Sequence, residues 1–317
     1  MIQGHEKKGQ TPIQEIDIRD KSWLKTNIAY ISMFIVIILW GSSWPVTRYV
    51  STNELGTHPF TSAFIRMTFA IPFLLLAVRL IDGKLMFPRH LLKPIMILGF
   101  FQVAMHNFFF LSGLRFTSGS DGVLIINAGI AVITPILAHR AYKDEKLTRI
   151  RVIGIFISLL GVLLIFSLSP NENVENRILG NFLILGAATS WSIYTVYSRP
   201  IVREISPISY QLWAALFGWS YLALFALSEQ INSPNLVITF DTGWRLAYLG
   251  VFAAAIAYTL YNVSIKHLGA TRTAVIVNFA PLFGIFFSIV FADEEFSLVY
   301  PIAFLIILAG IYLVNKN

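Results

Sequence analysis

Ten runs of about twenty apolar residues follow one another along this chain with short polar stretches between them, and that pattern settles the class of fold before any motif is considered. A bilayer core about 30 Å thick takes roughly 20 helical residues to cross. The runs lie at about 28–50, 59–81, 93–113, 117–138, 149–168, 178–198, 207–228, 243–265, 270–292 and 298–315. Composition agrees. Charged residues are 13% of the chain and hydrophobic ones 56%, with mean hydropathy +0.68, against about a quarter charged in a soluble domain. The expectation is an all-α integral membrane protein of ten transmembrane helices, with loops too short for a second soluble domain.

Zero cysteines exclude a disulfide framework, thiolate catalysis and cysteine-ligated zinc or iron–sulfur sites. The formal charge of +7 flanks the apolar runs rather than forming one patch, so nucleic acid is not an expected partner. Residues 1–27 are polar and mixed in charge and lack a small-residue cleavage pattern, which reads as a retained cytoplasmic tail. With the N-terminus inside, 19 of the 24 Lys and Arg fall on the cytoplasmic side; Arg48, Arg115, Arg177 and Arg245 fall outside, and Arg66 lies within a helix. Basic flanks stay cytoplasmic. Both termini are therefore expected in the cytoplasm, with the chain in the cell (cytoplasmic or inner) membrane.

The chain also repeats itself. At an offset of 151 residues Trp40 falls on Trp191, Arg48 on Arg199, Leu98 on Leu249, Gly99 on Gly250, Phe101 on Phe252, Ala104 on Ala255, Arg115 on Lys266 and Asn127 on Asn278. At 149, Asp144 to Thr148 meets Asp293 to Ser297 and Gly161 meets Gly310. Two units follow, 28–168 and 178–315. Five helices in each unit make the second copy enter from the opposite face, so the halves form inverted repeats about an axis in the membrane plane. Such symmetry gives a physical route to alternating access around a site at the midplane.

The stretch Trp40-Gly41-Ser42-Ser43-Trp44-Pro45-Val46-Thr47-Arg48, its counterpart Trp191 to Arg199, Arg66, and the acidic-plus-Gly ends Glu145 to Gly161 and Glu294 to Gly310 resemble the EamA-type drug/metabolite transporters (the DMT superfamily). The resemblance covers about 28–315. It implies a basket in which helices 1–4 and 6–9 surround a central cavity while helices 5 and 10 are peripheral. It also implies transport of metabolites, with export of amino acids and related compounds common and uptake permeases known.

Several polar residues lie too deep for easy contact with water. Arg66 sits about seven residues into the second run, where a charge costs several kcal/mol unless it meets a cavity or partner. It either binds a substrate carboxylate or reaches headgroups and helix-end carbonyls, and its counterpart lies near Ala214. Asn127 and Asn278 hold equivalent midway positions, as midplane ligands or as interhelical bridges. His106 and Asn107 fall near the membrane centre; His106 is the first candidate for carrying a coupled proton, with a satisfied buried histidine as the alternative. Ser118 to Asp121 matches a capping box. Trp40, Trp44, Trp191, Tyr194, Tyr258 and Tyr261 are candidate cavity walls or packing residues. Pro72, Pro135 and Pro281 bend their helices and free the carbonyls of Thr68, Ala131 and Val277, and the kinks at Pro135 and Pro281 fall beside the asparagines, as gates or as fixed bends.

No HExxH, no GxSxG, no usable His/Asp/Glu ligand set and no nucleotide-binding loop occurs, so neither an enzyme nor a cofactor is expected. The resulting expectation is a secondary transporter for small anionic or zwitterionic, amino-acid-like solutes, working by alternating access, with efflux favoured over uptake. A receptor or scaffold is the alternative class. The lipid bilayer and a small-molecule substrate are the implied partners, and proton coupling and a homodimer are both compatible with the chain.

Overall fold

The structure is a computed structural model that describes residues 13–52, 58–85, 87–143, 146–168, 176–234, 238–292 and 297–315. A few side chains inside these helices, those of Asn278 and Pro281 among them, lie outside the description, as do the acidic ends at 144–145 and 293–296. Every regular element among the described residues is helical. In chain order they are α1 (Ile13–Thr52), α2 (Pro59–Ile81), α3 (Leu92–Gly99, Phe100–Met105 and His106–Arg115 in sequence), α4 (Gly119–Ala141) and α5 (Arg149–Leu168). The second set is α6 (Arg177–Glu204), α7 (Pro207–Asn232), α8 (Phe240–Tyr248, Leu249–Ile256 and Ala257–Leu268), α9 (Ala270–Ile276, Val277–Phe279 and Ala280–Ala292) and α10 (Val299–Asn315). Among the described residues seven helices are long and apolar enough to cross a membrane, and shorter apolar helices occupy α9 and α10.

Local chemistry fixes where these helices begin. Pro59 and Pro207 start α2 and α7 at the first turn, where no N–H is needed. Ser118 caps α4 by accepting from the Asp121 N–H, and Thr239 caps α8 by accepting from the Thr242 N–H. Several helices overrun their apolar stretch: α1 begins at Ile13, inside the polar segment, and α6 continues to Glu204. Once nucleated, a helix propagates cheaply through polar residues.

Packing repeats the internal symmetry of the sequence. The pairs α1/α9 and α6/α4 are equivalent, as are α1/α8 and α6/α3, and α2/α8 and α7/α3, while α2/α7 and α5/α10 pair across the axis with their own counterparts. Glycines mark the crossings. A Cβ on Gly99 would lie 2.6 Å from the Ala214 carbonyl oxygen, and one on Gly250 would lie 2.2 Å from that of Arg66. Arg66 and Ala214 are thus symmetry mates, as the sequence suggests. Gly161 and Gly310 do the same for α5/α10, against the carbonyls of Ala303 and Gly154. Small residues at a helix crossing let backbones approach closely in lipid.

Each unit also carries one π-helical stretch, Phe100–Met105 in α3 and Leu249–Ile256 in α8. They occupy equivalent positions and interrupt the α-helical hydrogen-bond ladder, leaving carbonyls for other donors. The α5/α10 pair lies at the periphery, with Phe156, Leu160 and Leu305 exposed on a face that suits lipid.

The crossings predict a contrast between two glycines. Gly250→Ala should destabilise the purified protein by about 1–3 kcal/mol through overpacking, whereas Gly243→Ala, whose Cβ would meet its nearest neighbour at 3.6 Å, should be neutral or stabilise by about 0.5–1 kcal/mol. Thermal unfolding in detergent reads both; equal effects would contradict the close approach of α8 to α2.

Candidate functional site

A cavity of about 70 Å³ lies between the two units, lined by Trp40, Ser43, Trp44, Arg66, His106, Phe110, Ile126, Asn127, Ile130, Trp191, Tyr258, Val277 and Ala280. Two symmetry pairs, Trp40/Trp191 and Ile126/Val277, contribute both members, so the cavity sits on the pseudo-two-fold axis. Apart from Tyr258, the other polar and aromatic groups come from the first unit. Ser43, Trp44, Arg66, His106 and Phe110 line it, while their mates Tyr194, Thr195, Ala214, Ala257 and Tyr261 do not.

Arg66 is 5% exposed. Its Nε donates to the Leu249 carbonyl at 3.3 Å and its Nη1 to Asn107 Oδ1 at 3.0 Å, and Tyr258 lies beside it. Asn107 is held in turn by donating from Nδ2 to the Val103 carbonyl at 2.7 Å. The guanidinium therefore rests on neutral oxygens, and none of the ion pairs seen among the described residues involves it. It does not snorkel to the headgroups: it bonds a helix carbonyl and faces the cavity at once. Five N–H donors in a planar fork suit a carboxylate or phosphate.

The π-helical stretches supply much of this scaffold. Leu249, Val103 and Ala253 all lie in them, and Trp40 Nε1 donates to the Ala253 carbonyl at 3.0 Å. Arg66, Asn107 and Trp40 are thus each aimed by a carbonyl of a π-helical stretch.

The aromatic residues form one nest. Trp40 meets Trp191 edge-on with ring centres 5.2 Å apart, and Trp191 meets Tyr258 at 5.0 Å and Tyr194 at 4.8 Å. His106 shares its Nδ1 hydrogen with the Ala187 carbonyl at 3.2 Å, lies 4.9 Å from Trp191 by ring centre, and stacks on Phe110. It is both satisfied by a neighbouring helix and exposed to the cavity. Asn127 donates to the Val123 carbonyl of its own helix at 2.7 Å and lines the cavity, so it does not bridge helices.

Seven residues singled out from the sequence come together on the cavity wall: Trp40, Trp44, Arg66, His106, Asn127, Trp191 and Tyr258. Asn107 stands behind Arg66 and orients it. Tyr194 and Tyr261 are fully buried one layer further back, where Tyr194 donates to Asn262 Oδ1 at 2.6 Å and Tyr261 exchanges a hydrogen bond with Thr195 at 3.1 Å. Asn278 falls in the Val277–Phe279 turn of α9, with its side chain outside the described residues. Sequence reasoning missed Ser43, Phe110, Ile126, Ile130, Val277 and Ala280. Ile126 and Val277, each adjacent to a paired asparagine at the same 151-residue offset, could have been found from that repeat.

Ser118 accepts from the Asp121 N–H as a capping box requires, and Asp121 also pairs with Arg177 Nε at 2.8 Å across α4 and α6. Among the described residues no group of three His, Asp or Glu is placed to hold a metal ion.

The EamA-like transporter family matches residues 27–167 and 178–316. The chain is 28% identical to the uncharacterized transporter YyaM of Bacillus subtilis over 59% of its own length and 61% of that protein, so this match spans less than two thirds of the relative. It is 22% identical to the uncharacterized transporter YoaV of the same organism over 88% of its length and 93% of that protein. It is 26% identical to an uncharacterized transporter of Archaeoglobus fulgidus over 91% and 99% of the two chains. A solved crystal structure shares the fold with a TM-score of 0.65 at 20% identity, covering 90% of this chain and 96% of the other. With both units matched, the chain belongs to the EamA-like transporter family.

Proposed function

We propose that this protein is a secondary transporter that carries small anionic or zwitterionic organic solutes, amino-acid-like metabolites foremost, across the cytoplasmic membrane by alternating access. The observation that carries the reading is Arg66: a buried guanidinium on the wall of a cavity at the symmetry axis, resting on neutral acceptors. A solute carboxylate would complete its charge, and the nest around Trp40 and Trp191 would cover the apolar part of the solute. Charge-assisted hydrogen bonds of this kind contribute about 1.5–3 kcal/mol.

The size of the cavity supports movement as part of the function. About 70 Å³ accommodates a few waters, and small-molecule pockets run to roughly 300–1,000 Å³, so loading requires the bundle to widen. Inverted repeats supply two equivalent packings between which it can do so. Export is the direction implied by the family resemblance. In this reading a coupled proton, where one is used, rides on His106.

We also place both termini in the cytoplasm. Arg48, Arg177 and Arg245, at the end assigned to the outside, are tied locally to the Thr117 carbonyl, Asp121 and Asp241, which accounts for their retention there. A reporter enzyme fused after residue 317 should be active only as its cytoplasmic variety; activity of the exported variety would overturn the orientation.

The transport reading is tested by untargeted mass spectrometry of metabolites inside and outside cells that express the protein or its Arg66→Gln variant in equal amount. The expected result is one class of acidic or zwitterionic metabolite enriched in the medium, with the effect reduced about 10–100-fold in Arg66→Gln, the equivalent of 1.5–3 kcal/mol. Depletion of that class from the medium would mean uptake instead. No change in any pool would count for a receptor or scaffold and against transport.

A further inference from the structure

Arg66 brings donors and a positive charge to the cavity, and three other polar groups on its wall present the opposite chemistry. His106 places Nδ1 3.2 Å from the Ala187 carbonyl of α6. A carbonyl only accepts, so Nδ1 carries the hydrogen and Nε2 of the neutral ring is a bare lone pair. Asn127 gives Nδ2 to the Val123 carbonyl at 2.7 Å, which leaves Oδ1 as an acceptor with no partner among the described residues. Ser43 Oγ donates to the Trp40 carbonyl at 2.7 Å, so its hydrogen is spent as well. His106, Asn127 and Ser43 are 8%, 5% and 8% exposed and all three line the cavity, so whatever meets these lone pairs comes from inside it.

Lone pairs on three different helices call for a group with several hydrogens. A hydroxyl has one and satisfies a single acceptor, whereas an ammonium has three. The rings of Trp40, Trp44 and Trp191 complete the wall, and indole faces attract a cation. No Asp or Glu among the described residues lines the cavity. The acceptors are therefore neutral, which suits a cation whose charge is already balanced within its own molecule. A lone amine would meet Arg66, which lies within electrostatic reach of His106, with no anion between them. An amine carried beside a carboxylate brings that anion with it.

We infer that His106 Nε2, Asn127 Oδ1 and Ser43 Oγ form an ammonium subsite, and that they make the cavity selective for solutes with an amine next to the anionic group over the same acids without it. The inference rests on the transport reading for the role of Arg66. It also limits how a proton can be used. The ammonium and a proton need the same lone pair of Nε2, so a bound amino acid and a protonated His106 exclude each other, and any coupling through this residue is an exchange of proton for solute. The other charged or titratable groups at the cavity are Arg66 of α2 and Tyr258 of α8; α1, α4, α6 and α9 contribute none among the described residues.

Magnetic resonance of the purified full chain with isotope-labelled histidine, and His106→Gln to identify the signal, reads the tautomer without any solute. Hydrogen on Nδ1 is the expected result; hydrogen on Nε2 would overturn the subsite, because that nitrogen could then accept nothing. Calorimetry next takes a panel of the common amino acids, each against amine-free acids of the same skeleton: alanine against propionate and lactate, leucine against isocaproate, phenylalanine against hydrocinnamate. The amino acids that bind should do so about 10–100-fold more tightly than their amine-free partners, the worth of hydrogen bonds to a charged group. Asn127→Leu and His106→Phe should each shrink that ratio about tenfold, whereas Arg66→Gln should weaken both members of a pair. Repeated in buffers of different ionisation heat, amino-acid binding should take up no proton. Propionate or lactate bound as tightly as alanine, proton uptake with the amino acid, or a panel in which no amino acid binds would each overturn the subsite. Metabolite export that Arg66→Gln abolishes, found together with any of these, leaves the transport reading standing, so the two failures are told apart.

Discussion

In a lipid solvent there is little hydrophobic force between helices, and this bundle is held by backbones that approach within touching distance. Gly99 lies on the carbonyl of Ala214 and Gly250 on that of Arg66, while Gly161 and Gly310 lock α5 to α10 in the same manner. The crossing of α2 and α8 therefore does two things at once. It joins the two units, and it fixes the backbone of the residue that brings a positive charge into the interior. The side chain of that residue is then aimed by a π-helical stretch of the same partner helix through the Leu249 carbonyl.

The repeats agree in their packing and differ in their chemistry. Arg66 faces the cavity where its mate is alanine, and Gln102, Gln211 and Asn262 cluster where their mates are alanine, alanine and leucine. Duplication leaves the helix pairings equivalent, and divergence leaves the chemistry of the two sides unlike. Carboxylates serve a structural purpose at the ends of the same bundle. Glu229 of α7 accepts from the Phe60 and Thr61 N–H groups at the start of α2, and Asp82 at the end of α2 accepts from the Ser209 hydroxyl at the start of α7.

The architecture was legible in the sequence because it rests on run length and on a repeated pattern, both of which survive without knowledge of contacts. Arg66 and Asn127 could be picked out because a polar group in hydrocarbon must face something polar. What it faces could not. Asn127 turns to its own helix, Asn107 serves Arg66 instead of the cavity, and Tyr194 and Tyr261 sit one layer too deep. Aromatic residues spaced along one helix differ in depth by one turn, and their sequence spacing does not say which turn meets the cavity. The π-helical stretches were hidden for a similar reason: an extra residue in one turn shifts the apolar pattern by less than the pattern varies. Ile126 and Val277 are aliphatic residues among many, and only their places beside the axis set them apart.

The proposed alternating access requires that α4 and α9, which pack against each other across the axis, separate at one end of the bundle while they close at the other. Spin labels on Arg140→Cys and Arg272→Cys, both exposed and at the same end of these helices, would measure the distance directly in lipid discs. Gly284 packs against Val123 toward the other end, so Gly284→Leu props that end apart. The account predicts two distance populations in the parent protein and loss of the longer one in the Gly284→Leu background. A single narrow distance that Gly284→Leu leaves unmoved would contradict it.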